Sequence, residues 1–205
     1  YPIRGGAPKS RAYLYALMRD AGERYLGMPH FSPVGNPDGK RDIDLLGLFG
    51  TNYESATIAH QRKLGIALLE KNIRGNILIG QARLSRNDYW AALRRSKIVL
   101  SLFGWGEICF REMEGFVSGS AILMPSMNHL ETWPNYYLPH KTYYPIDWDL
   151  DELVGAYTHL LQNDDERIAI ARQGLRTFMY YWSEEGKAEF VRRFVDEIRS
   201  VVESA

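Results

Sequence analysis

The residue types most able to do chemistry are gathered in one short stretch of the chain. It opens with Phe103, Gly104 and Gly106, passes through Glu107, and continues into Arg111, Glu114 and Gly119. Glycines at 104 and 106 let the backbone approach a ligand closely, and a helix starting just after them would aim free N–H groups at negative charge. Arg111 and Glu114 stand three apart, so on a helix they share one face. A guanidinium for a pyrophosphate and a carboxylate for ribose hydroxyls would then project together, which suits a nucleoside diphosphate. The same spacing also fits an ordinary ion pair on a helix surface, with glycines that only shape a turn.

A scaffold able to present such a stretch is legible around it. From residue 41 onward, short apolar runs alternate with amphipathic stretches, the pattern of a parallel sheet covered by crossover helices. Strands are expected at residues 43–49, 76–79, 98–103, 121–124 and 142–145, and helices at 55–71, 86–95, 111–118 and 150–162. The run 97–103 is apolar on both faces, as a buried parallel strand requires. The expected fold is therefore α/β, a doubly wound and mainly parallel sheet over residues 41–205, with C-terminal helices after residue 164 interrupted near 182–186. Phe190, Phe194, Ile198 and Val201 form one stripe on the last helix, which should pack against something apolar. Residues 1–40 read as an N-terminal helix and a linker. Ser10 would cap a helix to about residue 25 with Leu14, Leu17, Met18, Ala21 and Tyr25 on one face, and Asn36, Pro37, Asp38 and Gly39 make a turn. In an open sheet of this kind ligands bind beyond the carboxyl ends of the strands, so the loops after residues 49, 103 and 124 carry the interest.

Composition narrows the classes. Lys plus Arg equals Asp plus Glu, 25 each, so no global field gathers nucleic acid or an anionic membrane. Cys109 is the only cysteine, which excludes an intrachain disulfide and fits a reducing compartment; a cytoplasmic location is expected. No apolar run approaches the roughly 20 residues that span a bilayer. His30, His60, His129, His140 and His159 show no ligand spacing, so no metal is expected. Tyr143, Tyr144, Trp148, Tyr180, Tyr181 and Trp182 are not interleaved with basic residues and read as packing aromatics. Arg62 and Lys63 read as a solvated helix face.

Three runs carry a family resemblance: Tyr89, Leu93, Ser96 and Lys97 in a Y-x-x-x-L-x-x-S-K pattern; Arg111, Glu114, Gly115 and Gly119 in a Glu-containing helix ending in small residues; and Asp149 with Leu153 in D-x-x-x-L. In this order they resemble the C-terminal, donor-binding half of group-one glycosyltransferases of the GT-B fold, which is Rossmann-like. The resemblance runs from about residue 41 to the end. It implies that Glu114 binds the ribose, that Gly119 closes the same helix, and that Glu107 stands near the glutamate contacting the donor sugar. Six residues separate Glu107 from Glu114, one fewer than in the family's common pair. It also implies that Gly50 and Thr51 lie beside the diphosphate, with Arg62 and Lys63 weaker candidates for neutralising it. Asn128 and His129, after the fourth strand, could face the sugar or its phosphates. No residue is assigned as the catalytic base, which the family keeps in its other domain.

The function implied is transfer of a sugar from a nucleotide-diphosphate donor to a glycan, lipid or other hydroxyl acceptor. No further cofactor is implied. A partner acceptor-binding domain of similar size is implied as well, for which residues 1–40 are too short. Two rivals stand beside this: a non-catalytic α/β interaction module, and a sugar-nucleotide epimerase of related fold.

Overall fold

Residues 34–53, 56–104 and 106–203 are described by a computed structural model. The helix expected over residues 10–25 and the side chain of Trp105 fall outside them. Residues Gly35–Ala205 form one unit by contact. Its five strands are β1 Ile43–Leu48, β2 Ile77–Gly80, β3 Ser96–Leu100, β4 Ala121–Pro125 and β5 Tyr143–Ile146. They pair in the order β2-β1-β3-β4-β5, every neighbour parallel. The helices are α1 Ala56–Asn72, α2 Arg86–Arg95, α3 Phe110–Val117, α4 Leu153–Gln162, α5 Asp164–Trp182 and α6 Glu184–Glu203. The doubly wound expectation holds, and the C-terminal helices break at Ser183.

Both faces of the sheet are covered, which is why its strands read as unbroken apolar runs. Leu45, Ile98, Leu100 and Leu123 belong to one core cluster with Leu69 of α1 and Leu153, Ala156 and Leu160 of α4. Val99 and Ile122 lie against α3, where a Cβ on Gly115 would stand 2.2 Å from Ile122 Cδ1. Only glycine lets that helix sit so close.

Two boundaries differ from expectation. β3 leaves the ladder after Leu100 instead of running to 103: the Ser101 N–H still bonds Leu123 O, but the Phe103 N–H turns to the Gln61 side chain at 2.8 Å. α4 starts at Leu153 because residues 147–152 make a turn, with Leu150 N–H bonded to Asp147 O and Leu150 at φ 68°. The apolar stripe on α6 is not buried among the described residues: Phe194 is 55 % and Ile198 50 % exposed.

At the amino end of the strands, Arg41 ties the entry segment down. Its Nη1 donates to Ser96 O (2.6 Å) and Ser120 Oγ, and its Nη2 to Ser118 O and Asn36 O. Burial, and then the Arg167 charge, lower its pKa to about 10. At the N-terminus of α2, the Ser85 hydroxyl accepts from the Asp88 N–H at 3.2 Å and donates to the Asp88 carboxylate. Ser85→Ala should therefore lower unfolding stability by about 1 kcal/mol, read as a shift in the urea midpoint with unchanged slope.

Candidate functional site

Strand order places a topological switch between β1 and β3: the chain runs from β1 outward to β2, then crosses back to the other side. The loops after β1 and β3 therefore diverge from adjacent strand ends and leave a crevice, the usual ligand position in such sheets. Gly50 and Thr51 form one side of it; residues 101–109 and the start of α3 form the other.

Two arginines converge on this crevice. Arg62, from α1, is only 5 % exposed. Its Nε donates to Phe103 O at 2.8 Å, and its Nη1 donates to Gly50 O at 3.1 Å and to the Tyr53 hydroxyl at 2.7 Å. One guanidinium thus joins the β1 and β3 loops. Arg111, from α3, donates through Nη1 to Ser101 Oγ at 3.4 Å, while its Nε is buried without a partner. Both guanidiniums approach the Phe49 ring, at 5.5 Å for Arg62 and 5.2 Å for Arg111. Burial first, and the Arg111 charge second, lower the pKa of Arg62. Neither forms an ion pair with a carboxylate among the described residues. Two cations side by side without a direct ion pair favour an anion between or beside them.

Glycines shape the space around them. A Cβ at Gly104 would lie 2.8 Å from Arg62 Nη2 and 3.1 Å from Cys109 Sγ, whereas at Gly106 nothing lies within 4 Å of that position. The Gly104 N–H bonds Gly106 O at 3.2 Å, so the backbone turns tightly. Thr51 is buried and its hydroxyl accepts from Gln81 Nε2.

Arg111 and Glu114 do not form the surface ion pair their spacing allows. Glu114 instead accepts from the Tyr89 hydroxyl at 2.7 Å, and burial raises its pKa against the opposing effects of Tyr89 and Arg111. Tyr89 and Glu114 together bring α2 to the edge of the site. Glu107 Oε1 stands 3.9 Å from His129 Nε2, so the β3 and β4 loops meet there. His129 packs edge-on against Trp148 at 5.4 Å, whose indole N–H donates to Ser126 O. Asn128 is exposed and, with Ser126, lines a groove of about 690 Å³ that continues past β5.

Gly119 is not brought to this site. It follows the Ser118 C-cap of α3 with φ 68° and precedes β4, at the amino end of the strands, where a Cβ would stand 3.1 Å from Arg41 Nη2. Arg62 is a correction too: it lies in the site instead of on a solvated face, while Lys63 is exposed as expected. The sequence reading passed over Glu112, which is fully buried. Its carboxyl accepts the Cys109 N–H and the Ser101 hydroxyl, completing a capping box at the start of α3. Burial raises its pKa to about 7 despite those hydrogen bonds. The E-at-N3 spacing after Cys109 was the available signal.

The fold is a Rossmann-like α/β domain with two arginines at its topological switch point. A profile of the glycosyl transferase-like family matches residues 50–192, and the chain belongs to that family. Among solved structures it is similar to TarM, with a TM-score of 0.56 at 9 % identity over 79 % of this chain. The chain spans 36 % of TarM's length. It is also similar to the C-terminal domain of LpcC, a glycosyl transferase group 1 family protein from Francisella tularensis, with a TM-score of 0.48 at 14 % identity, over 71 % of this chain and 88 % of that one. No curated protein matches the sequence. The family resemblance is borne out by the profile match, and its fold by the likeness to TarM. No described helix is long and apolar enough to cross a membrane.

Proposed function

We propose that this domain holds a nucleotide-diphosphate sugar at the β1/β3 switch point and presents it for transfer to a hydroxyl acceptor. The observation that carries the reading is the pair of arginines, Arg62 and Arg111, on the Phe49 ring, neither in an ion pair with a carboxylate among the described residues. A diphosphate would supply the missing charge, and the same contacts would stabilise it as a leaving group, where negative charge develops. Glu114, half-buried and oriented by Tyr89, has one oxygen engaged, and the other makes no hydrogen bond among the described residues and would accept from a ribose hydroxyl. Glu107 and His129 stand where the sugar would extend toward the groove lined by Asn128. The acceptor and any proton-abstracting base would come from a further domain, as the resemblance implies.

A thermal-shift screen against UDP, GDP, ADP, CDP and dTDP tests this, since a ligand at about 100 times its dissociation constant stabilises a fold by about 2.7 kcal/mol. One nucleotide should raise the melting temperature. Glu114→Gln should weaken that nucleotide by about 1–3 kcal/mol, measured calorimetrically, because a charged acceptor of a ribose hydroxyl becomes a neutral one. No shift with any of the five would sink the donor reading and favour the interaction module.

A further inference from the structure

Arg111 is held in an unusual way. An arginine kept ready for a phosphate is poorly served by a direct salt bridge, which occupies two of its nitrogens in the fork geometry. Here the contact is indirect. Arg111 Nη1 donates to Ser101 Oγ at 3.4 Å, and the Ser101 hydroxyl donates onward to Glu112. Because Ser101 gives its proton to the carboxyl, its lone pairs are turned toward Arg111. The other Glu112 oxygen accepts the N–H of Cys109, the last residue of the loop that begins at Phe103. Glu112 itself is fully buried and cannot reach a ligand. Tyr137, from the β4–β5 connection, has its pKa raised by burial first and by the Glu112 charge second.

We propose that Glu112 is the positioning residue of the diphosphate site. Through Ser101 it aims Arg111, and through Cys109 it sets the end of the 103–109 loop, without touching the nucleotide. The inference deepens the donor reading and rests on it for the nucleotide arm of its test. The loop arm does not, because Cys109 is the only thiol in the chain and reports the loop with no ligand present.

The experiment measures iodoacetamide alkylation of Cys109 at pH 8 and binding of the five nucleoside diphosphates, on folded protein, in wild type and three variants. Glu112→Ala should alkylate about ten-fold faster and bind its nucleotide about ten-fold more weakly, the effect of one lost charge-assisted hydrogen bond. Glu112→Gln keeps an acceptor for the Cys109 N–H and should stay within about three-fold of wild type in both. Removing the carboxylate charge alone would accelerate alkylation equally in Ala and Gln, and that result overturns the proposal. Ser101→Ala breaks the relay but leaves the Cys109 bond. It should weaken the nucleotide about ten-fold at an unchanged alkylation rate, and it remains informative if Glu112→Ala does not fold. Wild-type nucleotide affinity in Ser101→Ala overturns the role in aiming Arg111. If no nucleoside diphosphate binds wild type while Glu112→Ala alone opens Cys109, the donor reading fails and the loop-setting role stands.

Discussion

Arg62→Met should lower the stability of the folded domain by about 2–3 kcal/mol, the cost of removing one buried donor from three acceptors. Methionine fills much of the stem's volume, so the cost arises mainly at the head group. Phe103 O, Gly50 O and the Tyr53 hydroxyl all lose their donor. A part-buried carbonyl that loses its donor costs toward the low end of about 1–3 kcal/mol, because water can reach it. The two loops that Arg62 joins would part, and Gly104 would no longer stand against a guanidinium. Urea unfolding followed by circular dichroism measures the loss. A change below about 1 kcal/mol would place Arg62 among surface residues and contradict the burial described here. Arg62→Lys discriminates further: it retains the charge but cannot reach three acceptors with a planar fork, and should recover less than half of the stability.

The strands were legible because a parallel sheet covered on both faces needs residues that are apolar at every position, as in Ile98, Val99 and Leu100, and few surface segments look like that. The end of β3 was less so. Leu102 and Phe103 continue the apolar run, yet the ladder stops at Leu100 because the Gln61 side chain, 42 residues earlier in the chain, takes the Phe103 N–H. Local spacing put Arg111 and Glu114 on one helix, where they are found, and left open whether they pair with each other; Tyr89 and Ser101, from other elements, decide that they do not. Arg62 was misjudged for the same reason. A charged residue on a helix is solvated by default, and only contacts with the ends of β1 and β3 bury this one. Gly119 lies just past the far end of an eight-residue helix whose near end faces the crevice, so a motif that is continuous in sequence spans from the carboxyl to the amino ends of the strands.

Glu112→Gln should change how stability depends on pH by about 3 kcal/mol between pH 4 and pH 8. A free glutamate titrates near 4.3, but burial raises Glu112 to about 7 in the fold. Between those values the folded chain binds a proton that the unfolded chain has released, so wild-type stability falls as pH rises from about 4 to about 7. The penalty is fully present above pH 7 and absent below about pH 4. Glutamine carries no such proton, so the variant's stability relative to wild type should climb across that window and level off above it. Subtracting the two urea-unfolding curves at each pH removes the contribution of other titrating groups. Parallel curves would mean that Glu112 keeps an ordinary carboxylate pKa. A variant more stable than wild type at pH 8 but equal to it at pH 4 would identify an acid that costs stability where it sits. Such a residue at the base of the crevice is expected where position of Ser101, Cys109 and Arg111 matters more than the last few kcal/mol of fold.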